Sequence, residues 1–188
     1  MSFQGEGEEK PSVESTSAEG GFQLEAPKIS KGGSMTYVAK HPFDASHPDA
    51  LAIYCSDGRF TEAIEELLRH LGHARLDTLT LPGGPALLEL NTAGFSQLET
   101  ARTSSSFLIL GHDIKRVVLI AHENCGYYKT RHRFETPERV AAMQLVDLEA
   151  AAAWLLSAHP GLEVSMYYAR PEGKQVGFIP HKRAPKKV

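Results

Sequence analysis

Two short apolar runs constrain this chain more than any other feature of it. Leu51-Ala52-Ile53-Tyr54-Cys55 and Val117-Val118-Leu119-Ile120-Ala121 contain no charge and lack the alternation of a half-exposed strand. Such runs read as strands buried on both faces, and a strand buried on both faces needs helices above and below it. Helical patterns follow in the right places. Residues 61–71 put Ile64, Leu67, Leu68 and Leu71 on one face, with Gly72 as the stop. Residues 96–112 carry Leu98, Ala101, Ser105 and Leu108 at helical spacing, and Pro137 opens a long Ala- and Leu-rich helix that ends near His159-Pro160. Further strand candidates lie at residues 78–81, 162–169 and, shorter, 177–179. This alternation predicts an α/β domain: a mostly parallel β-sheet with flanking helices.

The chain of 188 residues, 41% hydrophobic and 23% charged, suits one domain with a core that needs no disulfide staples. Residues 1–35 are rich in Gly, Ser and Glu with apolar side chains scattered singly, and are expected to form a disordered low-complexity leader. The folded domain is expected over 36–180, followed by a basic tail over 181–188 that holds Lys182, Arg183, Lys186 and Lys187. No basic stripe runs along the folded part, which argues against a nucleic-acid surface. No apolar run approaches the ~20 residues that span a bilayer, so no membrane segment is expected. The first residues, MSFQGEGEEK, lack the charged and apolar regions of a secretory signal. Two cysteines, Cys55 and Cys125, are too few for a disulfide scaffold and fit a reducing, cytoplasmic setting.

A polar cluster follows each central run. The first is Cys55-Ser56-Asp57-Gly58-Arg59; the second is His122-Glu123-Asn124-Cys125-Gly126. Ligands of parallel sheets bind outside the carboxyl ends of the strands, where strand order reverses. With those strands as neighbours, Cys55, His122 and Cys125 converge as sulfur, nitrogen and sulfur donors, a set that suits zinc. Three protein ligands leave a fourth position open, as in catalytic zinc sites. Asp57 either fills that position or pairs with Arg59 and holds a zinc-bound water, whose pKa falls to ~7. A Cys55–Cys125 disulfide leaves His122, Asp57 and Arg59 unexplained. A phosphatase-type anion loop needs more residues between its Cys and Arg than the three found here. Elsewhere, His70 and His73 read as helix-end caps and His112 as a turn residue. Trp154 reads as core or interface, and the stretch Tyr127, Tyr128, Lys129, Arg131, His132, Arg133 as a solvated basic loop.

The pattern Cys55-x-Asp57-x-Arg59 followed by His122-x-x-Cys125-Gly126 resembles the β-class carbonic anhydrases, over roughly residues 51–179. That resemblance implies that Cys55, His122 and Cys125 are zinc ligands and that Asp57 and Arg59 form a dyad gating the fourth position. It implies an antiparallel edge strand and a homodimer or higher homo-oligomer. It also implies a zinc-dependent lyase that reversibly hydrates carbon dioxide to bicarbonate, with the backbone of Gly83, Gly84 and Gly126 against the substrate. The chain departs from the family pattern at Leu81-Pro82-Gly83-Gly84-Pro85-Ala86, where an Arg-Asn-Ala-Gly-like stretch is usual, and at Ala121, where a Gly is usual. Two alternatives stay open at this stage: a zinc hydrolase of carbonyl sulfide or carbon disulfide, and a zinc-binding protein without turnover.

Overall fold

Both apolar runs are interior strands of a five-stranded sheet. The computed structural model describes residues 37–183; the leader expected over 1–35, and residues 184–188 of the expected tail, lie outside the described residues. The chain divides into two compact units, Met1–Phe43 and Asp44–Val188. In the first, residues 37–43 are exposed and form neither helix nor strand. The second carries β1 (Ala50–Cys55), α1 (Gly58–His70), β2 (Asp77–Leu81), a 3-10 turn (Gly84–Leu88), α2 (Phe95–Gly111), β3 (Arg116–His122), α3 (Gly126–Arg131), α4 (Pro137–Ala158), β4 (Glu163–Glu172) and β5 (Gln175–His181).

The sheet order is β2-β1-β3-β4-β5. The first three pairings are parallel and β4–β5 is antiparallel. The sheet is thus mostly parallel with an antiparallel edge strand. β1 is buried at every residue, and β3 at every residue after Arg116. Leu51, Ile53, Val117 and Leu119 pack with α2 and α4 on one face of the sheet. Ala52, Tyr54, Val118 and Ile120 pack with Phe60, Ile64 and Leu68 of α1 on the other. Each fully buried Leu or Ile contributes about 1.5–3 kcal/mol of transfer free energy, so these two strands, with Leu51, Ile53, Leu119 and Ile120, are a large part of the cohesion. β2, at an edge, alternates between half-buried and exposed residues instead.

Several boundaries differ from the sequence expectation for physical reasons. α1 begins three residues early, at Gly58, because Asp57 caps it: its carboxylate accepts from the backbone N–H of Arg59 at 3.1 Å. Gly72 does end this helix, at φ 90°, a left-handed conformation that only glycine takes without strain. In α2 the buried stripe is Leu98, Ala101, Ser105 and Ile109; Leu108 is only half-buried. The stretch expected as a basic loop is α3, with Tyr128 buried; six residues are too few to show a period. α4 is long and apolar enough to cross a membrane by length and composition, contrary to the sequence expectation. Its Leu148, Ala151, Ala152 and Leu155 pack against the sheet, which makes it a core helix.

Candidate metal centre

Strand order puts the candidate ligands together. The chain leaves β1 toward β2 on one side and leaves β3 toward β4 on the other, so the β1–β3 junction is where the sheet changes winding direction. Cys55 is the last residue of β1 and His122 the last of β3. Glu123 and Asn124 then turn the chain, Asn124 at φ 60°, a left-handed position that Asn tolerates better than most residues. The turn delivers Cys125 as the N-cap of α3. The two sulfurs stand 3.8 Å apart. One donor atom each from Cys55, His122 and Cys125 lies within 4.8 Å of the others, the one such cluster among the described residues.

The donors fit a zinc ion on three counts. Two thiolates at ~2.3 Å from a tetrahedral zinc stand about 3.8 Å apart, the separation found here and far too long for a disulfide. His122 Nδ1 lies 2.9 Å from the Glu123 carbonyl oxygen, which can only accept, so Nδ1 carries the proton. Its Nε2 is left buried with a free lone pair and no hydrogen-bond partner. An orphan of that kind costs about 1–3 kcal/mol unless something completes it, and a metal ion does. Finally, the sulfurs are surrounded by donors. The Gly83 N–H points at the Cys55 sulfur at 3.4 Å, and the N–H groups of Tyr127 and Tyr128 face that of Cys125. Of the two thiols, Cys55 loses its proton first, chiefly because Cys125 donates a hydrogen bond to it. Cys125 is pushed up, because it keeps that shared proton and is buried.

Asp57 stands beside the cluster but outside it. Arg59 donates from Nε to both carboxylate oxygens, at 2.9 and 3.2 Å, and from its terminal nitrogen to Oδ2 at 2.5 Å. These bonds, ahead of the field of His122, hold the Asp57 pKa down to about 2 despite partial burial. Phe60, one residue beyond Arg59, packs its ring 4.3 Å from that of His122. His122 and Cys125 are each 1% exposed and Cys55 is 7% exposed. Cys55 is thus the most exposed of the three, and Asp57 follows it by two residues.

The three glycines serve different ends. A Cβ on Gly84 would sit 2.6 Å from the Cys55 nitrogen and 2.7 Å from the Tyr54 carbonyl carbon, and its φ is +53°. Gly84 is there so that the turn after β2 can press against the end of β1. A Cβ on Gly83, at φ +93°, would strike the Tyr127 ring at 2.6 Å. Gly126 has open space around it. Sequence reasoning missed two buried polar residues near the centre, Gln144 and Asp147 of α4, which are 2% and 3% exposed. Their signal was available: two polar residues three apart, on a helix face otherwise made of Val140, Leu148, Ala151 and Leu155.

Fold and site together define an α/β domain with a Cys-His-Cys candidate metal centre at the carboxyl ends of two adjacent parallel strands. No family model matches the chain. An uncharacterized protein of Rickettsia conorii is 26% identical over 147 residues, covering 75% of this chain and 78% of that protein. Among solved structures the chain is similar to several β-carbonic anhydrases. CafA of Aspergillus fumigatus is 16% identical with a TM-score of 0.46, over 71% of this chain and 76% of that one. A tetrameric β-carbonic anhydrase from Sordaria macrospora is 17% identical with a TM-score of 0.47, over 71% and 81%. Isoform I from Trichomonas vaginalis is 13% identical with a TM-score of 0.47, over 78% and 88%. Donor geometry, rather than these likenesses, carries the assignment of the metal centre.

Proposed function

We propose that this protein is a zinc-dependent lyase that reversibly hydrates carbon dioxide to bicarbonate. The observation that carries this reading is a buried three-donor N/S cluster, two residues along the chain from a carboxylate tied down by arginine. Cys55, His122 and Cys125 would hold the ion. A zinc ion with three protein ligands supplies Lewis acidity that brings the pKa of a water down to about 7. Arg59 keeps Asp57 ionised, so its oxygens accept and do not donate. Asp57 thereby orients an attacking water by accepting a hydrogen bond from one of its O–H groups and stays off the ligand cluster. Phe60 and the burial of His122 keep bulk water away from the imidazole side. Of the three glycines assigned to the substrate, Gly126 is exposed and a Cβ on it would meet nothing within 4 Å, while Gly83 and Gly84 are engaged with Tyr127 and with the end of β1. A reducing cytoplasm, which keeps both thiols available, and a homodimer complete the proposal.

The test is carbon dioxide hydration by the zinc-loaded protein, followed by stopped flow. Turnover in proportion to bound zinc, lost together with zinc in Cys125→Ser, is the expected result. Zinc-loaded protein no faster than metal-free protein overturns the reading. Turnover of carbonyl sulfide without carbon dioxide hydration replaces it with a hydrolase. Sedimentation velocity measures the dimer.

A further inference from the structure

We propose that α4 is the frame on which the metal centre is held, with Gln144 and Asp147 as its positioning residues; this rests on the metal-centre reading above. The two side chains are one helical turn apart on one face, and each grips a different ligand-bearing segment. Gln144 donates from Nε2 to the His122 carbonyl oxygen at 2.8 Å, and its Oε1 accepts from the Tyr168 hydroxyl at 3.1 Å. It therefore ties the end of β3 to β4. The residue after His122 is pinned as well, because the Glu123 N–H donates to the Ala169 carbonyl at 2.8 Å. The Glu123 carbonyl is in turn the group that orients the imidazole through Nδ1. Gln144 thus clamps the peptide link that sets where Nε2 points.

Asp147 does the same for the second thiol. Its Oδ2 accepts from the Tyr128 hydroxyl at 2.7 Å and from Thr92 Oγ1 at 2.5 Å. Tyr128 lies three residues past Cys125 on α3 and is 2% exposed, so Asp147 anchors the short helix that Cys125 caps. The Thr92 carbonyl meanwhile takes Arg131 Nε at 3.0 Å, which fixes the far end of the same helix. Burying an amide and a carboxylate on an apolar helix face is a poor way to gain stability, since well-packed apolar residues do as well or better. It is a good way to specify geometry. Groups behind metal ligands set 10- to 100-fold of metal affinity in sites of this kind.

The experiment measures zinc affinity by competition with a chromophoric chelator, the absorption bands of the cobalt-loaded protein, and the melting temperature. Gln144→Met keeps side-chain length and removes both hydrogen bonds; Tyr128→Phe and Tyr168→Phe each remove one hydroxyl and leave the packing in place. Leu155→Val, a fully buried change further along α4, is the stability control. Gln144→Met and Tyr128→Phe should each weaken zinc binding about 10- to 100-fold and shift the cobalt bands, with Tyr168→Phe intermediate. Leu155→Val should lower the melting temperature and leave affinity and spectrum alone. Should Gln144→Met fail to fold, the two Tyr→Phe variants decide. Wild-type affinity and spectrum in the folded variants overturn the proposal alone, as does an equal loss in Leu155→Val. Wild-type protein that takes up neither metal overturns the metal-centre reading and this proposal with it.

Discussion

Because the backbone N–H and the guanidinium of Arg59 both donate to Asp57, one carboxylate caps α1 and is held beside the candidate metal centre. Arg59→Ala keeps only the backbone N–H on Asp57, a single bond that the carboxylate can give up to swing onto a bound ion. Zinc content should stay near one per chain while turnover per zinc falls roughly 100-fold or more, the scale of losing a positioned proton acceptor. X-ray absorption should show a fourth ligand that is a carboxylate. Arg59→Lys should recover little, since an ammonium cannot make the two-point contact. Unchanged coordination and unchanged turnover per zinc would reduce Arg59 to a helix-end residue. The glycines separate by the same close reading. Gly84→Ala drives a methyl into β1 backbone at a left-handed φ and should cost about 2–4 kcal/mol, lowering the melting temperature by roughly 5–15 °C. Gly126→Ala meets open space at the first position of a helix and should stay within about 0.5 kcal/mol.

Elements whose pattern expresses burial were legible, and those whose pattern expresses something else were not. β1 and β3 announce themselves because every residue in them but Arg116 is buried. α2 is ambiguous because its apolar residues go all round: Phe107 and Leu110 are 70% and 74% exposed while Ile109 between them is 5% exposed. Spacing alone therefore placed Leu108 in a stripe that the structure gives to Ile109. Ile109→Ala should cost about 2–4 kcal/mol in urea denaturation, and Phe107→Ala less than about 0.5. Reversed sizes would mean that α2 is turned about its axis. α3 hid among basic residues because its purpose is local. Arg131 lies 3.7 Å over the Tyr127 ring, and Tyr128 is buried beneath. The candidate ligands were legible because Cys and His at strand ends are few. Gln144 and Asp147 stood out only as polar residues on an apolar helix face; what they bond was not legible, since their partners lie on segments remote in sequence.

At the scale of the whole molecule, a metal ion held by Cys55, His122 and Cys125 would join segments that the sheet has already brought together, so its removal should loosen without unfolding. With free zinc at ~1,000 times its dissociation constant, binding to the native state alone adds about 4 kcal/mol. Chelation should accordingly lower the melting temperature by roughly 8–16 °C, with far-ultraviolet circular dichroism retained below the transition. A melting temperature indifferent to zinc and chelator would mean that no ion binds the native state. The sheet order has one more consequence. β1 pairs with both β2 and β3, yet 70 positions separate Cys55 from Cys125. At synthesis rates of ~5–20 residues per second, the second thiol follows the first out of the ribosome by roughly 4–14 s. For the later part of that interval β1, the most apolar strand, has β2 on one side and no neighbour on the other. The nascent chain then has an open sheet edge and one unpaired thiol at the same place, and the arrival of β3 closes both.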